Sequence, residues 1–350
     1  MNSTRISLFL TAMSWNINCY LTIFLLIFGG LGNLLNIFVL SQRTLRSNSC
    51  AWLFRISSIF NLISILFGLT TRLISNSILD RYDFLCQLRV FILLTSRTIA
   101  IWLISLAIFD RWLLSCVKVS RRRLSTLKNI KQVVTIIVLS IFLIFSPIFY
   151  CYQGNLIDSP LKCYSKTIFC RILTDQIYTF VTILFPLIFM IVFGFLTMHN
   201  VRNVHSRALA PFLSRSSLIL ISYEQRQHLK SVDRRLLIML LIQIGFLVLF
   251  TLPQTIEMIY LTITTNRFKS SIQKTIENSI FTFTILLTYV ASGMPFYIYT
   301  LSGGRVFRQG VSQFFRQINC TETTDSAVEA KKIYSTRFSD RQANCNEKKR

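Results

Sequence analysis

Asp110 and Arg111 stand side by side at the end of an apolar run that opens at Cys86, CQLRVFILLTSRTIAIWLISLAIFDRW. Adjacent acid and base can pair, and an arginine at the edge of an apolar segment needs either a partner or access to water. Cys86 lies 25 residues before Arg111, roughly 37 Å along a helix. That slightly exceeds the roughly 30 Å hydrocarbon core of a bilayer, so a thiol falls at one membrane face and the charged pair at the other. Between them, Arg97 precedes Arg111 by 14 residues, roughly 21 Å, which is near mid-membrane. An ionisable side chain at that depth marks a functional position and requires a partner. Arg97 can pair with Glu257, an acid in a later apolar run. It can instead join Arg72 in gripping a ligand carboxylate, phosphate or amide carbonyl through the planar guanidinium fork. A third arrangement turns it toward helix backbone or water. Gln176, Gln254 and Tyr289 add polar groups to any pocket built here.

The elements that must position these residues are long and apolar. Hydrophobic residues make up 52% of the chain and charged ones only 15%, a balance that suits a polytopic membrane protein and not a soluble domain. Apolar runs recur at 19–40, 51–74, 84–116, 132–152, 173–199, 236–263 and 277–301. Each approaches or exceeds the roughly 20 residues that a spanning helix needs. None alternates as a barrel strand would, and a bilayer leaves no other way to satisfy the backbone. The expected fold is an all-α membrane protein, a seven-transmembrane helix bundle. The segment RVFRQGVSQFFRQ after the last run reads as an amphipathic juxtamembrane helix.

The net charge of +24 raises the question of nucleic acid, but its distribution answers it. Loops 41–50, 117–131 and 200–235 hold 15 bases and 2 acids, whereas the alternate loops 75–83, 153–172 and 264–276 with the N-terminal tail carry 8 and 3. The richer side is expected in the cytoplasm, with the N-terminus outside and the C-terminus inside. No nucleic-acid partner is expected; the basic face meets water and anionic membrane lipids. Residues 1–18 read as an external tail with a glycosylation acceptor at Asn2-Ser3-Thr4, 19–317 as the bundle, and 318–350 as a disordered cytoplasmic tail bearing Ser and Thr. Cys86, Cys151, Cys163 and Cys170 fall on or near the external side, where disulfides persist. Spacing alone does not fix their pairing.

The Asp110-Arg111-Trp112 triplet, Cys86 and the seven runs together resemble the rhodopsin-like G-protein-coupled receptors over about residues 19–317. Other positions fit the same pattern: Asn33 after Gly32 in the first helix, Pro186 in the fifth, Pro253 in the sixth and Pro295 in the seventh. Several depart from it. Asn61 stands where the family usually carries an acid, Thr251 replaces the aromatic toggle of the sixth helix, and Tyr299 comes one place late, after Ile298. The resemblance implies that Cys86 bridges to the second external loop, with Cys163 favoured over Cys170. It also implies that Asp233 holds Arg111 when inactive, and that outward movement of helix six exposes Arg111 to a heterotrimeric G protein.

The function so implied is a plasma-membrane receptor for an extracellular ligand. The third helix carries no acid between Cys86 and Asp110 to counter a cationic amine, and the resemblance points toward the peptide branch, as in invertebrate neuropeptide receptors. The run 277–301 contains no lysine, so a retinal Schiff base has no attachment point. No phosphate loop, metal-ligand cluster or nucleophile–base pair stands out, and neither enzymatic activity nor a cofactor is expected. Two alternatives stand beside this reading. A receptor fold without G-protein signalling is suggested by Asn61, Thr251 and Ile298. A small-solute transporter would call for inverted repeats and paired Gly/Pro-broken helices, which the sequence does not display.

Overall fold

The computed structural model describes residues 3–42, 48–73, 82–116, 118–156, 163–209, 219–264, 267–302 and 311–312, and their side chains except at 3–7, 201–240 and 302. The chain divides into two units, Met1–Gly304 and Arg305–Arg350, and the elements that follow all belong to the first. The glycosylation acceptor, the tail beyond 318, the side chain of Asp233 and nearly all of the juxtamembrane segment lie outside the described residues.

The long helices are α1 (Ser3–Leu40), α2 (Ser49–Leu73), α3 (Asp83–Ser115), α5 (Leu127–Phe145), α7 (Ile168–Ile177), α8 (Phe185–Leu209), α9 (Ile219–Ile263) and α10 (Ser271–Gly293). Shorter pieces are α4 (Val119–Arg122), α6 (Ile148–Cys151) and α11 (Pro295–Ser302). Strands β1 (Tyr152–Gln153) and β2 (Tyr164–Ser165) form a small antiparallel hairpin. Polar side chains start several helices by taking up otherwise orphaned N–H groups. Thr126 accepts from Asn129 N at the head of α5, Thr167 from Cys170 N at α7, and Ser270 from Gln273 N at α10. Asn48 does the same for α2, its Oδ1 accepting from Cys50 N.

Among the described residues six helices are long and apolar enough to cross a membrane, and a seventh span is complete if α10 and α11 count as one. Those two are bent by 45° where helix fails at Met294. Pro295 has no N–H to donate back to the preceding turn, which accounts for the break. The helical start at Ser3 also carries α1 back through most of the segment read as a tail. Large apolar side chains such as Leu143, Ile188, Leu249 and Ile256 project outward from the helices, while Asn33, Asn36, Ser57, Thr98 and Gln254 are buried within. That distribution is the reverse of a soluble protein's and suits a lipid surround, in which only a packed interior satisfies polar groups. The architecture is that of a multi-pass, all-α membrane protein.

Helix α3 is central. It packs on α2, α5 and α8, and 72% of its apolar window is buried against at most 50% for any other single span. The ring closes through α8, α9 and α10 back to α1 and α2. Where α1 meets α10 the backbones nearly touch: a Cβ on Gly293 would lie 2.9 Å from the Cα of Gly29. Asn33 fixes the same crossing by donating from Nδ2 to the carbonyls of Gly29, at 2.8 Å, and Ser292, at 3.0 Å. Small residues permit such an approach between membrane helices, and the close packing stabilises it. Gly293→Ala therefore forces the two helices apart, with an expected loss of about 1–3 kcal/mol. Thermal unfolding in detergent measures it, and an unchanged midpoint counts against the crossing.

Between α7 and α8, residues Tyr178–Leu184 form a wider, π-helical turn. Pro186 explains it, because without an N–H the proline leaves a carbonyl of the preceding turn unpaired and the ladder re-forms at longer spacing. Phe185 N accordingly bonds to Phe180 O. The bulge is held by α3: Trp102 Nε1 donates to Val181 O at 2.9 Å, and the hydroxyls of Thr98 and Thr182 lie 2.6 Å apart. Trp102→Phe keeps the ring and removes the donor, and is expected to cost about 1 kcal/mol in the same melting assay.

Candidate functional site

A cavity of about 510 Å³ opens among α1, α2, α3, α7, α9 and α10 at the Cys86 end of the bundle. Its volume lies in the range of sites for small molecules or the end of a longer ligand. Helix periodicity supplies the lining: Val90, Leu93, Leu94 and Arg97 recur along one face of α3, at the three- and four-residue spacing of a common side. Gln254 and Met258 do the same on α9, as do Ser279, Thr282 and Ile285 on α10.

Three arginines border this space, Arg72, Arg89 and Arg97, and Asp175 is the carboxylate among its lining residues. Arg97 is deepest, at 5% exposure. Its Nη1 lies 3.5 Å from the Tyr178 hydroxyl, and its guanidinium carbon sits 4.3 Å from the centre of the Tyr289 ring, a cation–π arrangement. Nε and Nη2 of Arg97 have no hydrogen-bond partner. Tyr289 reaches this position only because Gly68 faces it, since a Cβ there would fall 1.8 Å from the Tyr289 hydroxyl. Arg72 is anchored by Asn18 Oδ1 at 3.1 Å. Gln254 is almost fully enclosed, and neither its amide nitrogen nor its oxygen is bonded.

Two sequence expectations are corrected here. Arg97 does not pair with Glu257: no ion pair joins them, and the charges that act on Glu257 come from Glu277 and Lys269. Glu257 is not among the residues that line the cavity, although Gln254 and Met258 on either side of it are. Lys269 pairs with Glu277 at 2.6 Å. Gln176 is exposed and does not line the cavity, because a single residue step turns it about 100° from Asp175 on the same helix. Asp175 is partly occupied, by Arg171 at 3.8 Å and the Thr262 hydroxyl at 3.3 Å.

The hairpin closes over this end. The sulfurs of Cys86 and Cys163 lie at disulfide-bonding distance, with Cα atoms 5.7 Å apart, and so do those of Cys151 and Cys170, 5.1 Å apart. Gln87 Nε2 donates to Tyr152 O and Gly154 N to Asp83 Oδ1, both at 2.9 Å, which fastens β1 to the head of α3. Tyr152 and Tyr164 line the cavity from above. Burial first, and the Asp175 carboxylate second, push the Tyr152 phenol up to about 12, and burial raises Tyr164 further. Both remain neutral hydrogen-bond donors at physiological pH.

The far end of α3 holds the other cluster. Asp110, buried at 1% exposure, does not pair with Arg111. It accepts instead from Ser49 Oγ at 2.6 Å and from Ser125 Oγ. Arg111 donates from Nη2 to Asn48 Oδ1 at 2.9 Å, the atom that caps α2. The two charged residues thus bind the start of α2 and the turn before α5, because on a helix neighbouring residues point about 100° apart. Among the helix-core positions, Asn61 is buried in α2 and Tyr299 bonds Gln243 Oε1 at 2.7 Å. Tyr297 stacks on Phe28 at 3.9 Å. Sequence reasoning did not select Tyr178, Gly68, Asn48, Ser49 or Ser125. An Asn-Ser pair opening an apolar run is a helix-start signal, and a lone glycine in a helical run marks close approach; for Ser125 the sequence carries no signal.

No protein-family model matches this chain, and no curated protein matches it. The fold and its interior define a multi-pass helical membrane protein with a polar, arginine-bordered cavity at one end and a buried charged cluster at the other.

Proposed function

We propose that the protein is a rhodopsin-like G-protein-coupled receptor of the plasma membrane, with its N-terminus outside and its C-terminus cytoplasmic, that senses an extracellular peptide. The observation that carries this reading is the pairing of two sites on one central helix: α3 contributes Arg97 to the cavity and Asp110-Arg111 to the opposite end. A ligand that favours one arrangement of the helices around α3 shifts the population at both ends, which is what a transmembrane switch requires. The tryptophan-to-bulge contact offers a route from the cavity floor to α8.

In this reading Asp233, on the inner part of α9, restrains Arg111 in the resting state, and its release admits a heterotrimeric G protein. A G-protein activation assay against a peptide library tests it: a response that depends on surface-expressed protein supports the receptor, whereas solute uptake without any response supports a transporter.

A further inference from the structure

We infer that the cavity takes a ligand ending in a carboxylate next to an amide N–H, as at the free C-terminus of a peptide, seated on Arg97 and Gln254. The inference rests on the reading above that this cavity is the ligand site. Nε and Nη2 form one edge of the guanidinium fork, the edge that meets both oxygens of a carboxylate side by side. On Arg97 these are the two nitrogens without a partner, while Nη1 leans on Tyr178 and the guanidinium carbon sits over the Tyr289 ring. The side chain is therefore held at Nη1 and over the Tyr289 ring, and the buried Nε and Nη2 are left without a protein partner.

The charge balance points the same way. A buried guanidinium without a counter-anion is costly in a membrane interior, Glu257 does not supply one, and Asp175 is engaged with Arg171 and Thr262. Gln254 adds a buried donor and a buried acceptor, both unbonded, on the wall of the same cavity. Its amide N–H₂ suits a carboxylate oxygen, and its carbonyl suits an adjacent N–H. A fatty acid presents the first group without the second, so the pair of atoms favours a peptide end. Leu93, Leu94, Met258 and Ile285 give the terminal side chain an apolar wall.

The test uses the full chain in lipid nanodiscs and three probes: N-acetyl-phenylalanine, its C-terminal amide, and decanoate. Thermal-shift titration is expected to give N-acetyl-phenylalanine at least a tenfold advantage over the amide, with decanoate weaker than N-acetyl-phenylalanine. Arg97→Gln is expected to bring the acid-to-amide ratio to about one, and Arg97→Lys, which keeps the charge without the fork, to leave a small preference. Gln254→Leu is expected to weaken N-acetyl-phenylalanine several-fold and decanoate less, because the fatty acid loses only the contact to the Gln254 amide N–H₂. Equal binding of acid and amide by the wild type, or binding of neither, overturns the proposal without any variant having to fold. Decanoate binding tighter than N-acetyl-phenylalanine overturns the peptide end in favour of a lipid acid. The two readings fail separately: an Arg97-dependent acid preference without G-protein activation contradicts the receptor alone. Activation that is indifferent to Arg97→Gln and to C-terminal amidation contradicts the carboxylate site alone.

Discussion

Cys163→Ser is expected to lower stability by about 2–5 kcal/mol and to strip most of the protein from the cell surface. The Cys86–Cys163 pair spans 77 residues of sequence and the Cys151–Cys170 pair 19. A longer closed loop removes more freedom from the unfolded chain, so the chain-entropy argument gives about 4.5 kcal/mol for the first and about 3 for the second. Cys163→Ser should therefore be more damaging than Cys170→Ser. The structural consequence is local to the cavity: Cys163, Tyr152 and Tyr164 belong to its lining, and the link from α3 to the hairpin holds them there. Quantitative surface labelling and non-reducing peptide mapping measure both effects. Full surface expression of Cys163→Ser with an unchanged melting point would contradict the pairing.

Asp110→Ala is expected to lower stability by about 2–4 kcal/mol, because it removes the shared acceptor of two hydroxyl groups in a buried setting, and each donor left unsatisfied there costs about 1–3 kcal/mol. Ser49 and Ser125 are then left without their acceptor, and α2, α3 and the turn ahead of α5 lose their common tie. Asp110→Asn keeps one acceptor oxygen and is expected to cost about half as much. Melting of the two variants beside the wild type separates them, and equal midpoints for all three would show that the cluster contributes nothing to folding.

The membrane fold was legible because a bilayer constrains sequence so strongly: long apolar runs with few charges leave only helices that span it. What periodicity could not convey was the rotation of each helix. Gln176 and Asp175 are neighbours in sequence and differ in which one lines the cavity; Glu257 and Met258 differ the same way. A rotation error of about 100° is enough to exchange a pocket residue for a surface one. Arg97 stood out from depth alone, since an arginine near mid-membrane must be accounted for. Its actual supports, the Tyr178 hydroxyl and the Tyr289 ring, come from helices 81 or more residues away in sequence, and no local pattern announces them. The π-helical turn was implicit in Pro186, whose missing N–H has to be accommodated, but the use of the freed carbonyl by Trp102 depends on how α3 packs.

The central proposal is that this chain is a G-protein-activating receptor restrained at the inner end of α3. Nucleotide exchange on a panel of purified heterotrimeric G proteins, catalysed by the full chain in nanodiscs, tests it without knowledge of the ligand. The account predicts that Asp233→Arg, by repelling Arg111, raises basal exchange several-fold above the wild type on at least one G protein. Exchange by properly folded Asp233→Arg and wild type that never exceeds that of empty nanodiscs would contradict it.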